Sequence, residues 1–353
     1  MNVAEVLARR SHWLTEQGRN VIVLSTRVRL ARNLADRPFP SALSPEMTEQ
    51  TEKEIAAALE AAETEGQRLR YLPLKDMSDM EKTALVEKHL ISPALAALGA
   101  GRGVALSPDH RLAVMVNEED HIRLQVILPD SRLQEAFQVA DQLDDALEDK
   151  LDFAFRERCG YLTACPTNVG TGMRVSTMMH LPALVMTKQM QQVLNALSPL
   201  GLAIRGLYGE GSKAWGNIFQ ISNQVTLGKS EEDTLVNIEA VTEQICELEN
   251  HARQMMLAGH STLEDKVWRA RGLLQNARIM PVEEAFRLVS EDRLGVDTGF
   301  LPPLRESFAS LLLNLLPAGL RYRGGTELTD EQLNEARAAY LRQATLGIST
   351  GTE

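Results

Sequence analysis

The spacing of apolar residues divides the first part of the chain into helical and extended segments. Val3 to Leu14 carries apolar residues at helical spacing and predicts a short amphipathic helix. The β-branched run from Val21 to Leu30 predicts a strand. Helical patterns follow over 45–65 and 79–90. The chain therefore begins as a mixture of both kinds of element.

The middle of the chain is richer in strand patterns. Two apolar runs, 112–116 and 121–128, are separated by four polar residues from Asn117 to Asp120, which predicts two strands joined by a polar connection. Apolar residues over 133–147 step by three and four and predict a helix. Further strands are predicted over 173–180, 202–208 and 217–226.

Three helices have cap signals at their first turn, where a short polar side chain can accept a free backbone N–H. The predicted caps are Ser78 with Glu81, Asp130 or Ser131, and Ser230 with Asp233. From Gly259 onward every pattern is helical and prolines punctuate it. We therefore predict two domains, 1–258 with mixed strands and helices and 259–353 with helices alone.

Composition excludes several classes of protein. The 353 residues carry a net charge of −11, which disfavours direct binding of nucleic acid. No apolar run approaches the roughly 20 residues of a membrane span, and the N-terminus lacks a signal-peptide pattern, so we expect a cytoplasmic protein. The three cysteines, Cys159, Cys165 and Cys246, have no CxxC spacing and indicate neither a disulfide framework nor a zinc site.

Familiar nucleotide-binding and metal-binding motifs are missing. Gly206 to Lys213 resembles a P-loop, but that motif needs Ser or Thr after the lysine, and here Ser212 precedes Lys213. The seven histidines show no metal-binding spacing, so we predict no protein metal site. Any phosphate site must be built in another way.

Arginines recur on short extended segments and could form a phosphate site without a P-loop. Each could be a solvated charge on a strand, but several together could neutralise a triphosphate, because guanidinium forks match phosphate oxygens. The arginines are Arg27, Arg29, Arg123, Arg174 and Arg205.

Carboxylates and one cysteine form the second chemical feature. Glu118, Glu119 and Asp120 lie between two predicted strands, and Glu210 lies in a Gly-rich turn. They are either solvated turn residues or a site for a cationic acceptor. Cys165 precedes Pro166 and Thr167, whose hydroxyl could lower the pKa of the thiol, although a lone cysteine is more often buried packing.

Read in order, these motifs resemble the guanidino phosphotransferase family, which includes the phosphagen kinases and the bacterial protein-arginine kinases. The matching stretches are Ser25 to Arg29, Asn117 to Arg123, Cys165 to Arg174, Arg205 to Glu210, and Ile221 to Asn223. The resemblance implies an α+β fold, in which a large antiparallel β-sheet is flanked by helices and followed by a small all-α C-terminal domain with a regulatory or substrate-binding role.

The resemblance also implies roles for residues. Glu119 and Glu210 would clamp the acceptor guanidinium with Cys165 beside it, and either glutamate could be the base. ATP would be bound with Mg²⁺ bridging its phosphates. The implied ATP-binding residues are Ser25, Thr26, Arg27, Val28, Arg29, His89, Arg123, Arg174, Val175, Ser176, Thr177, Met178, Arg205, Gly206, Leu207, Tyr208, Gly209 and Glu210.

The order of domains bears on the acceptor. Phosphagen kinases resemble one another in a helical domain of about 100 residues before the first arginine strand, whereas this chain has about 24 residues there and about 95 helical residues after the catalytic part. That arrangement resembles the protein-arginine kinases and favours arginine side chains in proteins as the acceptor. A kinase of a small free guanidine and a nucleotide-bound adaptor without catalysis remain the alternatives.

Regulation and partners are implied by resemblance alone. A phosphoarginine-binding motif of the family aligns with Leu333 to Ala338, where only Arg337 and Ala338 are kept. Arg337 is therefore either a weak allosteric candidate or a helix-surface residue. The family also implies a homodimer, a zinc-binding activator protein, Clp chaperone or protease partners, and a place in the stress response.

Overall fold

A computed structural model describes residues 2–15, 21–64, 66–206, 215–258, 260–324 and 328–346. The helices are α1 (Val3–Ala8), α2 (His12–Thr15), α3 (Pro45–Ala61), α4 (Asp79–Glu87), α5 (Pro93–Ala96), α6 (Leu133–Glu148), α7 (Pro182–Met186), α8 (Met190–Leu197), α9 (Glu231–Ala258), α10 (His260–Asn276), α11 (Val282–Asp297), α12 (Phe308–Asn314), α13 (Pro317–Gly324) and α14 (Asp330–Leu346). The strands are β1 (Val23–Arg32), β2 (Glu63–Thr64), β3 (Gln67–Arg68), β4 (Arg70–Pro73), β5 (Gly103–Leu106), β6 (Leu112–Val116), β7 (Ile122–Pro129), β8 (Phe155–Arg156), β9 (Gly160–Tyr161), β10 (Met173–His180), β11 (Leu202–Arg205) and β12 (Ile218–Asn223).

Eight strands form one large sheet in the order β11-β12-β10-β1-β7-β6-β5-β4. The ladder from β1 through β7, β6 and β5 to β4 is antiparallel at every step. Helix α6 lies on β7 and buries its apolar stripe there. The predicted fold class, a large antiparallel sheet with flanking helices, is confirmed. No helix within the described ranges combines the length and the apolar character that a membrane span requires.

The two faces of β1 differ because side chains alternate along a strand. Val28 and Leu30 are fully buried, whereas Arg27 and Arg29 on the other face are half-buried. Arg32 shares the face of Val28 and reaches Asp144 of α6, with 2.9 Å and 2.6 Å from its Nε and Nη2 to Oδ2. One face of β1 therefore belongs to the core, and the other is available for chemistry.

The predicted caps have mixed outcomes. Ser78 and Glu81 form the expected capping box, and the Ser230 hydroxyl accepts the backbone N–H of Asp233 at 3.0 Å. The prediction that Asp130 or Ser131 caps the next helix is wrong. Arg132 occupies that position without a side-chain cap, because Asp130 adopts a left-handed conformation (φ 65°) and accepts the N–H of Ser131.

The described residues form two compact units. The first comprises described residues within 1–16, 25–177 and 222–240, and the second those within 17–24, 178–221 and 241–353. The core of the second unit is a cluster of apolar side chains, mostly from helices, that includes Leu274, Phe286, Leu311, Leu315 and Leu341, all of them buried. The predicted division at 258/259 lies inside the second unit and remains a prediction.

Candidate active site

The first unit concentrates arginines on one face of its sheet, which we call the arginine face and define as Arg27, Arg29, Arg123 and Arg174. Backbone register pairs Arg29 with Gln125 and Ala31 with Arg123, so the side chains of β1 and β7 point the same way. The predicted placement of Arg27 and Arg29 on one strand face is confirmed. Four guanidinium groups thus come from three strands.

The pKa values of Arg27 and Arg29 are lowered by burial and by the charges of neighbouring arginines. Burial, reinforced by the charge of Arg123, lowers the pKa of Arg27 to about 10. The pKa of Arg29 is lowered further by burial and then by the charges of Arg27, Arg123 and Arg174. With a pKa of about 10, Arg27 stays protonated near pH 7. The face is therefore strongly positive, and like charges on it repel one another.

Protein partners satisfy this face only partly. The Nη2 of Arg27 donates to the side-chain oxygen of Gln125, whose amide nitrogen in turn donates to the carbonyl of His89 at 2.7 Å. The Nε atoms of Arg27 and Arg29 are buried and find no hydrogen-bond acceptor among the described residues. Buried donors without acceptors, beside several positive charges, fit the phosphate oxygens of a nucleotide.

His89 lies beside the arginine face as a neutral group. It is buried with φ 59° and its ring lies 5.8 Å from that of Trp13. Burial, together with the charge of Arg27, lowers the pKa of His89 to about 3. The imidazole therefore adds no charge near pH 7, and the carbonyl of His89 holds Gln125 in place.

The polar connection between β6 and β7, which we call the acidic turn (residues 117–120), separates its carboxylates by burial. Glu118 is buried, accepts the Ser92 hydroxyl at 2.7 Å and pairs with Nη1 of Arg123 at 2.6 Å. Glu119 is exposed and pairs with Nη2 of Arg123 at 2.7 Å. A fully solvated turn is therefore ruled out, and Glu119 is the exposed carboxylate of the three.

Arg123 joins the arginine face to the acidic turn. Its charge lowers the pKa of both Arg27 and Arg29, while its guanidinium binds Glu118 and Glu119. The positive arginine face and an exposed carboxylate consequently meet at one side chain.

A second connection leads from the acidic turn to the loop that carries Cys165. The Oδ1 atom of Asp120 accepts the backbone N–H of Ala164 at 2.7 Å and the Nδ2 of Asn33 at 2.7 Å. The Cys165 sulfur is half-buried and lies 3.1 Å from the hydroxyl oxygen of Thr167. The predicted thiol–hydroxyl neighbourhood is present in the structure.

The remaining predicted ATP-site residues lie in several places. Thr26 and Val28 are buried on the opposite face of β1, and Val175 and Thr177 are buried in β10. The other described members of the set are Ser25 in β1, Ser176 and Met178 in β10, Arg205 at the end of β11, and Gly206. Leu207, Tyr208, Gly209 and Glu210 lie outside the described residues. Side chains on the opposite face can contribute only by supporting the arginine strands.

Arg337 is not a helix-surface residue, so that alternative is wrong. It is 2% exposed, and it donates to the carbonyls of Leu315 and Met280 at 2.8 Å each and to Oδ1 of Asn334 at 2.7 Å. Its guanidinium joins three segments of the second unit. The allosteric role stays a prediction.

Residues that support the site were missed because their partners are distant in sequence. Gln125 orients Arg27, Ser92 holds Glu118, and Asn33 contacts Asp120. Only Gln125 had a signal, since it alternates with Arg123 on a predicted strand. Within the described residues, no group of three or more His, Cys, Asp or Glu side chains could hold a metal ion.

Comparison with known proteins places these features in one family. The model of the ATP:guanido phosphotransferase C-terminal catalytic domain matches residues 50–252, and that of the protein-arginine kinase McsB C-terminal domain matches residues 260–352. The protein-arginine kinase of Moorella thermoacetica is 46% identical over 97% of this chain and 99% of its own length. That of Geobacillus stearothermophilus is 45% identical over 94% and 93%.

Solved structures with a similar fold include a taurocyamine kinase and a lombricine kinase. The substrate-free duplicated taurocyamine kinase from Schistosoma mansoni superposes with a TM-score of 0.57 and 27% identity, covering 68% of this chain and 36% of that one. Lombricine kinase superposes with a TM-score of 0.59 over 70% of this chain and 71% of its own, and at 23% identity it supports the fold alone.

Proposed function

The chain belongs to the protein-arginine kinases within the ATP:guanido phosphotransferases, and from this membership we propose that it transfers the γ-phosphoryl group of ATP to arginine side chains of proteins. One observation carries the proposal. Arg123 joins a positive, partly unsatisfied arginine face to the exposed carboxylate of Glu119. Phosphoryl transfer to a guanidine needs these two surfaces side by side.

The arginine face would hold the phosphates of ATP. Guanidinium groups bind phosphate oxygens in a bidentate manner, and the buried Nε donors of Arg27 and Arg29 await such acceptors. Arg174 and Arg205 would add charge, as the family resemblance implies. Mg²⁺ bound through phosphate oxygens would neutralise further charge on the transferring group. Fixed positive groups of this kind stabilise the transition state because they need no reorganisation.

The acidic turn would receive the acceptor. A carboxylate matches a guanidinium with two parallel hydrogen bonds, and Glu119 is exposed and therefore reachable. Glu210, which lies outside the described residues, would supply the second carboxylate, and either glutamate could be the base. Cys165 as a thiolate would lie against the same guanidinium.

The reaction needs this arrangement because a protonated guanidinium is a poor nucleophile. The pKa of a guanidinium lies about 6 units above neutral pH, so removal of its proton near pH 7 costs roughly 8 kcal/mol of free energy. A carboxylate takes the proton while the guanidino nitrogen forms the P–N bond and the bond from the γ-phosphorus to the bridging oxygen breaks, which releases ADP. Alignment of the reactants can supply roughly 7–11 kcal/mol.

Protein arginine, not free arginine, is the proposed acceptor. Support comes from the names of relatives that match almost the whole chain and from the C-terminal family model over 260–352. The fold is shared with kinases of small guanidines, so a free guanidine is the main alternative acceptor. A nucleotide-bound adaptor without catalysis is the second alternative, and the wholly intact arginine face disfavours it.

Cellular context is proposed from family membership. We expect a cytoplasmic homodimer that acts with a zinc-binding activator protein and with Clp chaperones or proteases in the stress response. The helical region 259–353 would bind substrate proteins or regulators. Pull-down of Clp components and size-exclusion chromatography with light scattering test these expectations separately from catalysis.

The decisive experiment measures transfer of labelled phosphate from ATP with Mg²⁺ to an unfolded arginine-containing protein and, in a second reaction, to free arginine. We expect acid-labile label on protein arginine and at least a 100-fold loss in Glu119→Gln. Glu135→Gln is the matched control, because Glu135 also pairs with an arginine (2.5 Å to Arg132) and is similarly exposed. We expect it to leave the rate unchanged.

Three results would decide against the proposal. Label on free arginine alone would make the chain a small-guanidine kinase. Binding of ATP without any transfer would make it an adaptor. Equal loss in Glu119→Gln and Glu135→Gln would remove the acidic turn from the acceptor site.

A further inference from the structure

Asp120 lies in the acidic turn but cannot touch a substrate, since it is fully buried. Its Oδ1 atom accepts two hydrogen bonds of 2.7 Å, from the backbone of Ala164 and from Asn33. Its Oδ2 atom is buried without a hydrogen-bond donor among the described residues and lies 4.0 Å from Nη2 of Arg123. One buried carboxylate therefore contacts the residue before Cys165 and lies next to Glu119 in the chain.

Asn33 completes the connection from the end of β1. It is 1% exposed, its Nδ2 also donates to the carbonyl of Leu162 at 3.1 Å, and its Oδ1 accepts the N–H of His121 at 2.9 Å. We call residues 162–169 the cysteine loop. The Asn33 amide therefore binds the chain next to the acidic turn, through His121, and the cysteine loop, through Leu162. The three hydrogen bonds of the buried Asn33 side chain make this connection rigid.

The far end of the cysteine loop is held independently. The Thr226 hydroxyl lies 2.9 Å from the carbonyl of Thr167 and 2.7 Å from that of Val169. A Cβ on Gly170 would lie 2.5 Å from the carbonyl oxygen of Thr226, so only glycine fits there. Cys165 therefore lies between two anchors, and only the first of them also holds the acidic turn.

We propose that Asp120 and Asn33 are positioning residues that set the distance between the Glu119 carboxylate and the Cys165 sulfur. This proposal rests on the proposed function, in which these two groups contact one guanidinium. A guanidinium that contacts both Glu119 and Cys165 requires a fixed distance between them. Loss of the shared anchor should therefore weaken acceptor binding and alignment. Binding of the ATP phosphates to the arginine face should not change. Misplacement by about 1 Å can cost about 100-fold in rate.

A purely structural carboxylate in the same sheet provides the comparison. Asp109 caps the turn between β5 and β6, at the other end of β6, where its Oδ1 accepts the hydroxyl of Ser107 at 2.7 Å and the N–H of Arg111 at 3.2 Å. Both aspartates organise a hairpin turn, but only Asp120 also contacts the cysteine loop. Asp109→Ala is therefore the matched control.

The kinetic test separates the two substrates. In Asp120→Ala we expect kcat/KM for the protein acceptor to fall about 100-fold while KM for ATP stays within about twofold. Asp120→Asn keeps an oxygen for Ala164 and Asn33, so it should recover at least tenfold of that loss. Asp109→Ala should leave both constants unchanged. Equal losses in the Ala and Asn variants, or a parallel rise in KM for ATP, would overturn the proposal.

The second test does not depend on kinase activity. Alkylation of each cysteine by iodoacetamide, followed peptide by peptide, should change at least threefold in rate at Cys165 in Asp120→Ala and in Asn33→Ser, with Cys246 in the same molecule as the internal control. Thr226→Val loosens the other anchor and should change the alkylation rate of Cys165 but not that of Cys246. This variant provides the test if Asp120→Ala does not fold. Unchanged Cys165 reactivity in Asn33→Ser and Thr226→Val would refute the anchoring, whereas absence of transfer in the unmodified protein would refute only the proposed function.

Discussion

Two buried arginines of the second unit and the arginine face of the first are satisfied in opposite ways. In the second unit Arg271 binds both carboxylate oxygens of Asp292 and the carbonyl of Pro302, and Arg337 binds two carbonyls and an amide. In the first unit the Arg29 side chain makes no hydrogen bond or ion pair with a described residue. The charges of Arg27, Arg123 and Arg174 lower its pKa, and that of Glu118 opposes them.

The contrast shows that the partners of an arginine, and not its burial, indicate its use. A guanidinium whose donors meet protein acceptors holds segments together. One whose neighbours are like charges raises the energy of the folded protein, and this cost is offset only when an anion binds. The following predictions are ordered from the largest expected effect to the smallest, and each can break this distinction.

Removal of Arg29 should abolish catalysis and spare the fold. We expect Arg29→Ala to lower kcat/KM by about 10³-fold or more, because a transition-state arginine contributes that much. The melting temperature of the nucleotide-free variant should stay equal or rise, since repulsion on the arginine face is relieved. Kinetics and calorimetry measure both, and an unfolded Arg29→Ala protein would contradict the distinction.

Removal of Arg271 should have the reverse effect. Arg271→Met leaves Asp292 buried without its partner, and the free energy of unfolding should fall by about 3–5 kcal/mol. Activity per folded molecule should be unchanged. Denaturant unfolding checks the first value, and recovery of stability in Arg271→Met with Asp292→Leu shows that the uncompensated charge is the cause.

Substitution of Gln125 should weaken ATP binding and have little effect on the stability of the fold. Gln125→Leu removes the acceptor of Arg27, and we expect KM for ATP to rise about tenfold, the equivalent of roughly 1.4 kcal/mol. Saturating ATP should raise the melting temperature of the unmodified protein more than that of the variant. An unchanged KM would mean that Arg27 is held by other groups.

Acid should weaken the fold through buried histidines. Burial lowers the pKa of His110 and of His121 to about 4, so between pH 6.5 and about 4 the unfolded chain binds protons that the folded protein does not. Stability is therefore lost as the pH falls through this window, by up to about 2 kcal/mol per histidine at pH 5.

The variant His121→Gln checks that sign. Its free energy of unfolding should fall less steeply between pH 7 and pH 5, as measured by urea unfolding at several pH values. Buried carboxyls such as Asp144, whose pKa burial raises, act in the opposite direction near the lower end of this window. The same slope in both proteins would show that His121 titrates normally.

Local chemistry predicted much of the first unit from the sequence alone. Alternation in β1 was enough to put Arg27 and Arg29 on one face, and the pairing of Ser78 with Glu81 was enough to start a helix. Both predictions depend on residues within a few positions of one another. Family motifs then directed attention to Glu119 and Cys165.

Long-range contacts could not be predicted in the same way. Asn33 meets Asp120 across 87 positions, and no spacing rule joins them. The altered motif, which keeps only Arg337 and Ala338, left open whether Arg337 lies on a helix surface, yet carbonyls from two other segments enclose it. Asp130 failed as a cap because its backbone turned left-handed, a choice that depends on how the chain leaves β7.

The alternation of β1 also limits how this protein can evolve. Insertion or deletion of one residue between Ser25 and Arg32 would exchange the two faces, sending arginines into the core under α6 and apolar side chains toward the nucleotide. Gly172 limits the neighbouring segment as well, since a Cβ there would lie 2.6 Å from the carbonyl oxygen of Ala31. Lineages of this enzyme should therefore vary in length around this strand but never within it.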